Sequence, residues 1–408
     1  MRRLDINSNR LHQRLEELSH IGRVPDGGIN RLAFSEADKA GRDYVEACMR
    51  DLGMEVAIDR IGNLFGVVPG RRINGAVMAG SHTDTVGSGG RFDGALGVLA
   101  ALEVAETLIE SGFHPERPFI VCSFVNEEGV RFMPDMMGSM FHRGDLSIED
   151  VRATTDTDGR SIGDELDRLD MRGTGDISVY APNIFIELHI EQGPILFESN
   201  LSIAAVSAVQ GLSWTEISIS GAANHAGTTP MDRRKDAVRS AGELISSLYR
   251  DIADIPQQRV TAGSITASPG LINVIASECR FTVDMRNPDA DLLREAELRL
   301  DRLVEKERHE GLCAIHLKRL ARVEPTEFSA RITDLIREAA EARDLPATTM
   351  VSGAGHDAQI LASKYESAMI FVPSVNGISH DREEYTEPEA TQAGANILLD
   401  TVLGMLKN

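Results

Sequence analysis

Hydrophobic and polar positions follow two periods along the chain, one helical and one extended. Helical spacing appears first, with Leu11, Leu15 and Leu18 on one face, and a second helix is predicted after Ser35, which forms a capping box with Asp38. Short apolar runs then predict buried strands. The elements predicted after these two helices are strands at Val56–Asp59, Leu64–Val68, Gly75–Gly80, Phe119–Val125, Ile184–Ile190 and Ala368–Val372, and a helix at Leu96–Ile109. Alternating strands and helices predict an α/β fold with a mixed, mostly parallel sheet flanked by helices.

The middle of the chain has a different order of elements. Strands and helices follow each other as β-α-β-β-α-β, the order of a ferredoxin-like, split βαβ unit. They are predicted at Trp214–Ile219, Lys235–Ile252, Val260–Thr266, Glu278–Arg286, Ala290–Arg308 and Cys313–Leu320. Residues 210–324 are therefore expected to form an α+β domain inserted between two parts of a larger domain, 1–209 and 325–408. The Thr-, Asp- and Gly-rich segment Asp150–Gly175 is expected to be a surface excursion.

The composition limits the partners of the protein. Its 408 residues include 42 Lys and Arg but 63 Asp and Glu, which gives a formal net charge of −21. This balance argues against nucleic acids and anionic membranes as partners, because both attract basic patches. Four cysteines are scattered without a C-x-x-C pair, which favours a reducing compartment. No apolar run has the length of a signal-peptide core or a membrane span, so a cytoplasmic protein is expected.

Four segments each place metal-binding side chains in or just beyond an apolar strand. These side chains are His82 with Asp93, Glu127 with Glu128, His189, and His380. In an open α/β sheet, ligands bind outside the carboxyl ends of the strands, so the four segments are expected to converge there. Imidazoles and carboxylates together suit Zn²⁺, Mn²⁺, Co²⁺ or Ni²⁺. Five such ligands are enough for a two-metal site, in which a bridging aspartate holds the ions about 3.5–4 Å apart.

Each of these residues also has a simpler interpretation. A lone histidine at a strand end is more often a hydrogen-bonded structural residue than a ligand, and adjacent glutamates are usually solvated. Two observations favour the metal site. Asp84 lies two residues from His82 and can orient its imidazole. Glu127 and Glu128 follow the apolar run Ile120–Val125, so their burial is plausible, and buried adjacent carboxylates repel unless a cation or a proton relieves them.

Taken together, the segments resemble a known family. The motifs GSHTDT, GGRFDG, EEGVRF, ELHIEQGP, NHAGTTPM, SGAGHDA and FVPSVNGISH are similar to those of the metal-dependent amidohydrolases that cleave carbamoyl or ureido groups. This group includes N-carbamoyl-L-amino acid hydrolase, β-ureidopropionase and allantoate amidohydrolase, and it is a branch of the M20 peptidase-like superfamily. The similarity extends from the region of Asn30 to the C-terminus.

The resemblance implies a role for each matching residue. The metal ligands would be His82, Asp93, Glu128, His189 and His380, with Asp93 bridging two divalent ions per subunit. Glu127 would be the general base, an assignment that spacing alone does not make between the two glutamates, and Asp84 would be the partner of His82.

Further residues would contact the substrate. The resemblance makes the inserted domain a lid and dimerisation domain, in which His225 reaches the active site of the partner subunit and stabilises the oxyanion. In the same domain Asn273 and Arg286 would hold the substrate carboxylate, and in the larger domain Gln192, Gly355 and His356 would line the pocket. The segment RFMPDMMGSM is less typical of the family.

The implied activity is hydrolysis of the carbamoyl amide of an N-carbamoyl-L-amino acid, with release of ammonia, CO2 and the free amino acid, in a homodimer. Allantoate and β-ureidopropionate are the alternative substrates. The HIEQGP and GISH segments disfavour a dipeptidase or aminopeptidase of the wider superfamily. An intact set of ligands with a general base disfavours a catalytically idle binding protein.

Overall fold

The computed structural model describes residues 3–407. Its helices are α1 Ser8–Ser19, α2 Glu36–Asp51, α3 Ala95–Glu110, α4 Met137–Arg143, α5 Ile148–Ala153, α6 Ile162–Arg168, α7 Ile195–Glu198, α8 Ala237–Asp251, α9 Ala290–Glu310, α10 Ala330–Ala342, α11 Asp357–Leu361 and α12 Pro388–Leu406. Its strands are β1 Glu55–Ile58, β2 Leu64–Val68, β3 Val77–His82, β4 Phe119–Phe124, β5 Ile184–Ile190, β6 Ile203–Val209, β7 Gly211–Ser220, β8 Arg259–Ser268, β9 Glu278–Asn287, β10 Ala314–Val323, β11 Thr326–Glu327, β12 Ala347–Ser352 and β13 Glu366–Val372.

The larger part of the chain is organised around a nine-stranded mixed sheet. Its strands lie in the order β1-β2-β4-β3-β5-β13-β6-β11, and β12 pairs with β6. The pairings β4–β3, β3–β5 and β5–β13 are parallel, whereas β1–β2, β2–β4 and β13–β6 are antiparallel. The expectation of a mostly parallel sheet is therefore wrong outside the central four strands. One reason lies in the turn at Gly62 and Asn63, because a connection this short can join only antiparallel strands.

Helix α3 covers the parallel centre of the sheet. It contacts β3, β4 and β5, and α1 and α12 pack against it. Its sequence ALGVLAALEVAETLIE is apolar on most of its circumference, which is typical of a helix buried on several sides. Glu103 is the buried charged residue of this helix, and it is paired with Arg10 of α1 at 2.7 Å. The core therefore continues from the sheet through two helical layers.

The segment Asp150–Gly175 differs from the surface excursion expected from its composition. It contains α6 and part of α5, and Val151, Ile162, Leu166 and Met171 are buried in a small core of their own. Phe34 and Phe132 belong to the same cluster. The correction has a simple reason, because a few apolar side chains at helical spacing are sufficient to bury a segment that is otherwise polar.

A second compact unit, Ala208–Thr326, contains a four-stranded antiparallel sheet in the order β10-β7-β9-β8, with helices α8 and α9 packed against it. The alternation of buried and exposed residues along β7 indicates that one face of this sheet is packed and the other is open. Trp214 lies on the open face and is 38% exposed. Strand β8 is at the edge of the sheet, and most of its residues are exposed.

The chain divides into two compact units by its internal contacts. One unit comprises Met1–Ser207 and Glu327–Asn408, and the other comprises Ala208–Thr326. The first contains the nine-stranded sheet and the second contains the four-stranded one. Among the residues described, no helix has the combination of length and apolar character that crossing a membrane requires.

Candidate metal centre

Two histidines at the carboxyl ends of neighbouring parallel strands face the same carboxylate. Ala79 of β3 pairs with Ile186 of β5, and His82 and His189 lie three residues further along their strands. The Nε2 atom of His189 lies 3.1 Å from Oδ1 of Asp93, and the Nε2 atom of His82 lies 3.7 Å from the same oxygen. These three side chains form a first group that could hold a cation, and all three are buried.

A second group lies on the other side of the same aspartate. The Nε2 atom of His380 is 3.3 Å from Oδ2 of Asp93 and 3.5 Å from an oxygen of Glu128. Asp93, Glu128 and His380 could also hold a cation. Asp93 thus presents one carboxylate oxygen to each group, which is the arrangement that a carboxylate bridging two ions requires.

The hydrogen bonds of the two strand histidines suit ligation. The Nδ1 atom of His82 lies 3.0 Å from the backbone oxygen of Asp84, and the Nδ1 atom of His189 lies 2.9 Å from the backbone oxygen of Ile190. A carbonyl oxygen only accepts hydrogen bonds, so each Nδ1 is assigned a proton, and each Nε2 has a lone pair when its ring is neutral. Both lone pairs then face Asp93, and that of His189 also accepts a hydrogen bond from the backbone amide of Gly94 at 3.3 Å. A histidine that binds a metal is normally oriented by a bond from its other nitrogen, as both rings are here.

Asp84 acts on the glutamates more than on the histidine. Its Oδ1 and Oδ2 atoms accept hydrogen bonds from the backbone amides of Glu127 and Glu128, at 3.3 and 3.2 Å. Its carboxylate is 3.7 Å from Nδ1 of His82, which bonds instead to the Asp84 backbone oxygen. The predicted pairing of Asp84 with His82 therefore runs through the main chain, while the side chain fixes the two glutamates.

Negative charge is concentrated around these groups. Burial, together with Glu128, raises the pKa of Glu127 well above its usual range, and burial with Asp93 does the same for Glu128. Burial would also raise the pKa of Asp93, but hydrogen bonds from His189 and His380 hold it well below its usual range. Buried carboxylates this close are stabilised by a bound cation, so the residues present fit a divalent metal.

Three residues at the centre have a backbone conformation that costs energy. Asn126, Gln192 and His380 have φ values of 52°, 59° and 55°, in the left-handed region that L side chains rarely adopt. Gln192 donates from Nε2 to Oδ2 of Asp93 at 2.9 Å, so it touches the shared carboxylate. Such conformations tend to cluster at functional sites, where the surrounding structure enforces them.

A third group of potential ligands is already occupied by protein hydrogen bonds. Glu187 accepts from Oγ of Ser81 at 2.6 Å and from the backbone amide of Ala358 at 2.8 Å. His356 is 1% exposed, lies with its ring centroid 4.6 Å from that of His189, and pairs through Nε2 with Oγ of Ser352 at 3.0 Å. Glu187 and His356 therefore lie next to His189, held in place by hydrogen bonds within the protein. Glu187 was not predicted as part of the site. The signal was its position two residues before His189, which places it on the same face of the strand.

The residues predicted in the inserted segment all lie in the second unit. His225 and Asn273 are exposed and lie in paired loops, because the amide of Ala226 donates to the backbone oxygen of Asn273 at 3.0 Å. Arg286 lies on β9, where its Nε atom donates to Oδ2 of Asp284 at 3.0 Å. Gly355 remains in the first unit, on the loop before His356. The predicted metal ligands, Glu127, Asp84 and Gln192 are thus brought together in the first unit.

The fold and the site together give the class of this protein. It is an α/β protein with a candidate metal centre, formed by histidine and carboxylate groups at the carboxyl ends of its parallel strands. Residues 78–404 match the family described as Peptidase family M20/M25/M40, and the chain belongs to this family. The resemblance found in the sequence is confirmed. The family is metal-dependent, which agrees with the groups around Asp93.

Relatives that are similar over nearly their full length indicate the branch of the family to which the chain is most similar. The "N-carbamoyl-L-amino-acid amidohydrolase" of Rhizobium meliloti is 35% identical, over 98% of this chain and 96% of that protein. The "Allantoate amidohydrolase" of Bacillus subtilis is 32% identical, over 96% of each. The solved structure of an amidase of the hydantoinase/carbamoylase family from Burkholderia multivorans has a TM-score of 0.95 and 38% identity, over 99% of each chain. The prediction of a hydrolase of this family that acts on non-peptide C–N bonds is confirmed.

Proposed function

We propose that the protein hydrolyses the carbamoyl amide of an N-carbamoyl-L-amino acid with two bound metal ions. One water is consumed, and ammonia, CO2 and the free amino acid are released. The observation that carries the proposal is the position of Asp93, which presents one carboxylate oxygen to each of two ligand groups. Relatives named as amidohydrolases of carbamoyl amino acids support the substrate class.

The residues that would hold the metals follow from the two groups. His82 and His189 would bind one ion, Glu128 and His380 the other, and Asp93 both. When bound, such ions lower the pKa of a water molecule and polarise the scissile carbonyl group. The preferred metals are Zn²⁺, Mn²⁺, Co²⁺ and Ni²⁺, because the ligands are imidazoles and carboxylates.

Glu127 is proposed as the general base. Its backbone is fixed by Asp84, and its Oε2 atom lies 3.4 Å from Nε2 of His82, next to the first group. Its pKa is raised by burial and by Glu128, so the carboxylate can accept a proton near neutral pH, although bound cations would lower this pKa. Glu127 would take a proton from the attacking water and deliver it to the leaving nitrogen.

The roles of the second unit are proposed from the resemblance. His225 would donate to the developing oxyanion in a partner subunit of a homodimer, which requires an exposed side chain, and His225 is exposed. Asn273 and Arg286 would bind the substrate carboxylate, for which a guanidinium is well matched. The Nε and Nη2 atoms of Arg286 contact Oδ2 of Asp284, so a substrate carboxylate would compete with Asp284 for the guanidinium.

Allantoate is the second candidate substrate. Relatives named "Allantoate amidohydrolase" are 32% and 33% identical to this chain, close to the 32–35% of the relatives named for carbamoyl amino acids. Both substrates carry a ureido group beside a carboxylate, so the same metal groups and the same base would serve either. The difference would lie in the residues that contact the rest of the substrate.

The test measures metal content and ammonia release together. The purified protein is assayed on N-carbamoyl-L-amino acids, β-ureidopropionate and allantoate, with a dipeptide as the matched control for peptidase activity. We expect two metal ions per chain and the highest kcat/KM for a carbamoyl-L-amino acid. A higher kcat/KM for allantoate would select the second candidate. Activity on the dipeptide alone, or ammonia release unaffected by complete metal removal, would contradict the proposal.

A further inference from the structure

The loop after β13 holds Asp93 through two residues that are not among the potential metal ligands. Ser379 and Glu384 lie on either side of His380, on the segment that connects β13 to α12. Both are directed at the neighbouring loop that ends in Asp93. One short loop therefore carries a member of the second ligand group and the contacts that hold the shared aspartate.

Glu384 binds the main chain on the approach to Asp93. Its Oε1 atom accepts hydrogen bonds from the backbone amides of Phe92 and Asp93, at 3.0 and 3.1 Å. Glu384 is 4% exposed, so water competes little for these bonds. Glu384 therefore anchors the loop backbone at two successive amides.

Ser379 links the other oxygen of Glu384 to the Asp93 side chain. The hydroxyl oxygen of Ser379 lies 3.1 Å from Oε2 of Glu384 and also 3.1 Å from Oδ2 of Asp93. A single hydroxyl proton serves one of the two acceptors at a time. Asp93 is thus held at its backbone by Glu384 and at its side chain by Ser379.

The fit between the two loops leaves no room for a side chain at Gly90. A Cβ atom on Gly90 would overlap the carboxylate of Glu384. The close approach brings the loop backbone within reach of Glu384. His380, four residues before Glu384, has a left-handed backbone.

We propose that Glu384 is a positioning residue that sets the distance between Asp93 and His380, and thereby the spacing of the two cation positions. The inference rests on the proposed two-metal function and adds to it a residue that is not a ligand. Both oxygens of Glu384 are engaged by donors from the protein, and it belongs to none of the potential ligand groups among the described residues. It acts on the metals through the Asp93 backbone.

The test compares Glu384→Ala and Glu384→Gln with a matched control, Glu383→Ala. Glu383 is the adjacent glutamate, and its side chain is 72% exposed. The amide oxygen of a glutamine can still accept from both backbone amides, and its NH2 group can donate to Ser379, so this variant keeps the anchor. The first measurement is the Zn²⁺ affinity of the metal-free protein, by competition with a chromogenic chelator. We expect Glu384→Ala to bind Zn²⁺ about 10–100-fold more weakly, with Glu384→Gln closer to the unmodified protein and Glu383→Ala unchanged.

The second measurement needs no metal. Hydrogen–deuterium exchange of the metal-free protein, measured on peptides covering residues 89–94, reports on the backbone amides that donate hydrogen bonds to Glu384. We expect faster exchange there in Glu384→Ala and unchanged exchange in Glu383→Ala. If Glu384→Ala does not fold, Ser379→Ala replaces it in the affinity measurement, with weaker Zn²⁺ binding as the expected result. Affinity and exchange equal to those of the unmodified protein would overturn the positioning role.

The two proposals fail in distinguishable ways. An unmodified protein that releases ammonia without bound metal contradicts the proposed function, and the exchange measurement then still decides whether Glu384 anchors the loop. An unmodified protein with two bound ions and full activity, together with a Glu384→Ala variant that retains both, contradicts the positioning role alone.

Discussion

The two ligand groups around Asp93 are built from different parts of the fold. His82 and His189 are the last or nearly last residues of buried parallel strands, and both side chains are 1% exposed. His380 lies on a loop, has a left-handed backbone, and has a side chain that is 50% exposed. The two groups share a carboxylate, but their histidines differ in the type of element that holds them and in solvent exposure.

This difference teaches how the proposed two-metal site would combine a fixed ligand group with an adjustable one. Strand ends in a packed sheet place ligands with little freedom, and low solvent exposure strengthens the electrostatic attraction of a cation. A loop ligand can move, and water can replace it. We therefore infer that the first group is formed before metal binds, while the second is completed by the metal and by the Glu384 contacts.

The largest effect is expected from Asp93→Ala, because it removes the ligand that both groups share. Neither ion would be retained at micromolar concentrations, and turnover would fall by at least about 10⁴-fold, since bound metals supply several kcal/mol of transition-state stabilisation. Metal analysis and ammonia release measure the two effects. Asp334→Ala, on the exposed surface of α10, is the control. Loss of one ion only would show that Asp93 does not bridge.

Glu127→Gln is expected to separate chemistry from metal binding. Removing a general base lowers kcat by about 10²–10⁴-fold, while the amide leaves both ligand groups intact. We expect metal content equal to that of the unmodified protein and a nearly unchanged KM. Retained activity would mean that the base is another residue, and loss of an ion would mean that Glu127 is a ligand.

The contrast between the two groups is tested directly by stepwise chelation. We expect a chelator to remove the ion of the His380 group first, with dissociation constants that differ by roughly tenfold or more, which corresponds to at least about 1.4 kcal/mol. His380→Ala should retain one ion, whereas His189→Ala should retain at most one and bind it more weakly. Simultaneous release of both ions would show that the two positions are equivalent.

The smallest effect concerns a partly buried histidine outside both groups. Burial lowers the pKa of His142 to about 4, and its Nε2 atom is 3.0 Å from the hydroxyl of Tyr365. Between pH 6.5 and 4 the unfolded chain would bind a proton that the folded one does not, so stability decreases as the pH is lowered, by at most about 1.4 kcal/mol per pH unit. His142→Gln should reduce this fall in urea unfolding, and His20→Gln, on the surface, should not. An identical pH dependence in both variants would contradict the contribution of His142.

The parts of the fold and site that follow a period could be predicted from the sequence. His82 and His189 end or interrupt apolar strand runs, and the parallel order of those strands explains why their side chains meet. The elements of the second unit follow the β-α-β-β-α-β order that their periodicity indicates. In these cases the local pattern and the tertiary structure agree.

The remainder depends on contacts that have no local pattern. In the sequence, Glu384 is one of several charged residues in a loop and has no distinguishing pattern. Its contact with the loop before Asp93 becomes visible only in the structure, where Gly90 approaches it closely. The antiparallel pairing of β13 with β6 joins segments far apart in the sequence, so no local turn indicates it. The choice between Glu127 and Glu128 came from the resemblance, because adjacent identical residues look alike in any pattern.

Trp214 is the sole tryptophan of the chain, and it lies on the open face of the four-stranded sheet. Tryptophan emission excited near 295 nm therefore originates entirely from the second unit, while the nine-stranded sheet and its ligand groups remain optically silent. A fluorescence melting curve would follow the second unit alone, and circular dichroism would follow both units. Any shift of that emission on adding substrate or on raising the concentration would be an intrinsic signal from the open face, obtained without a label.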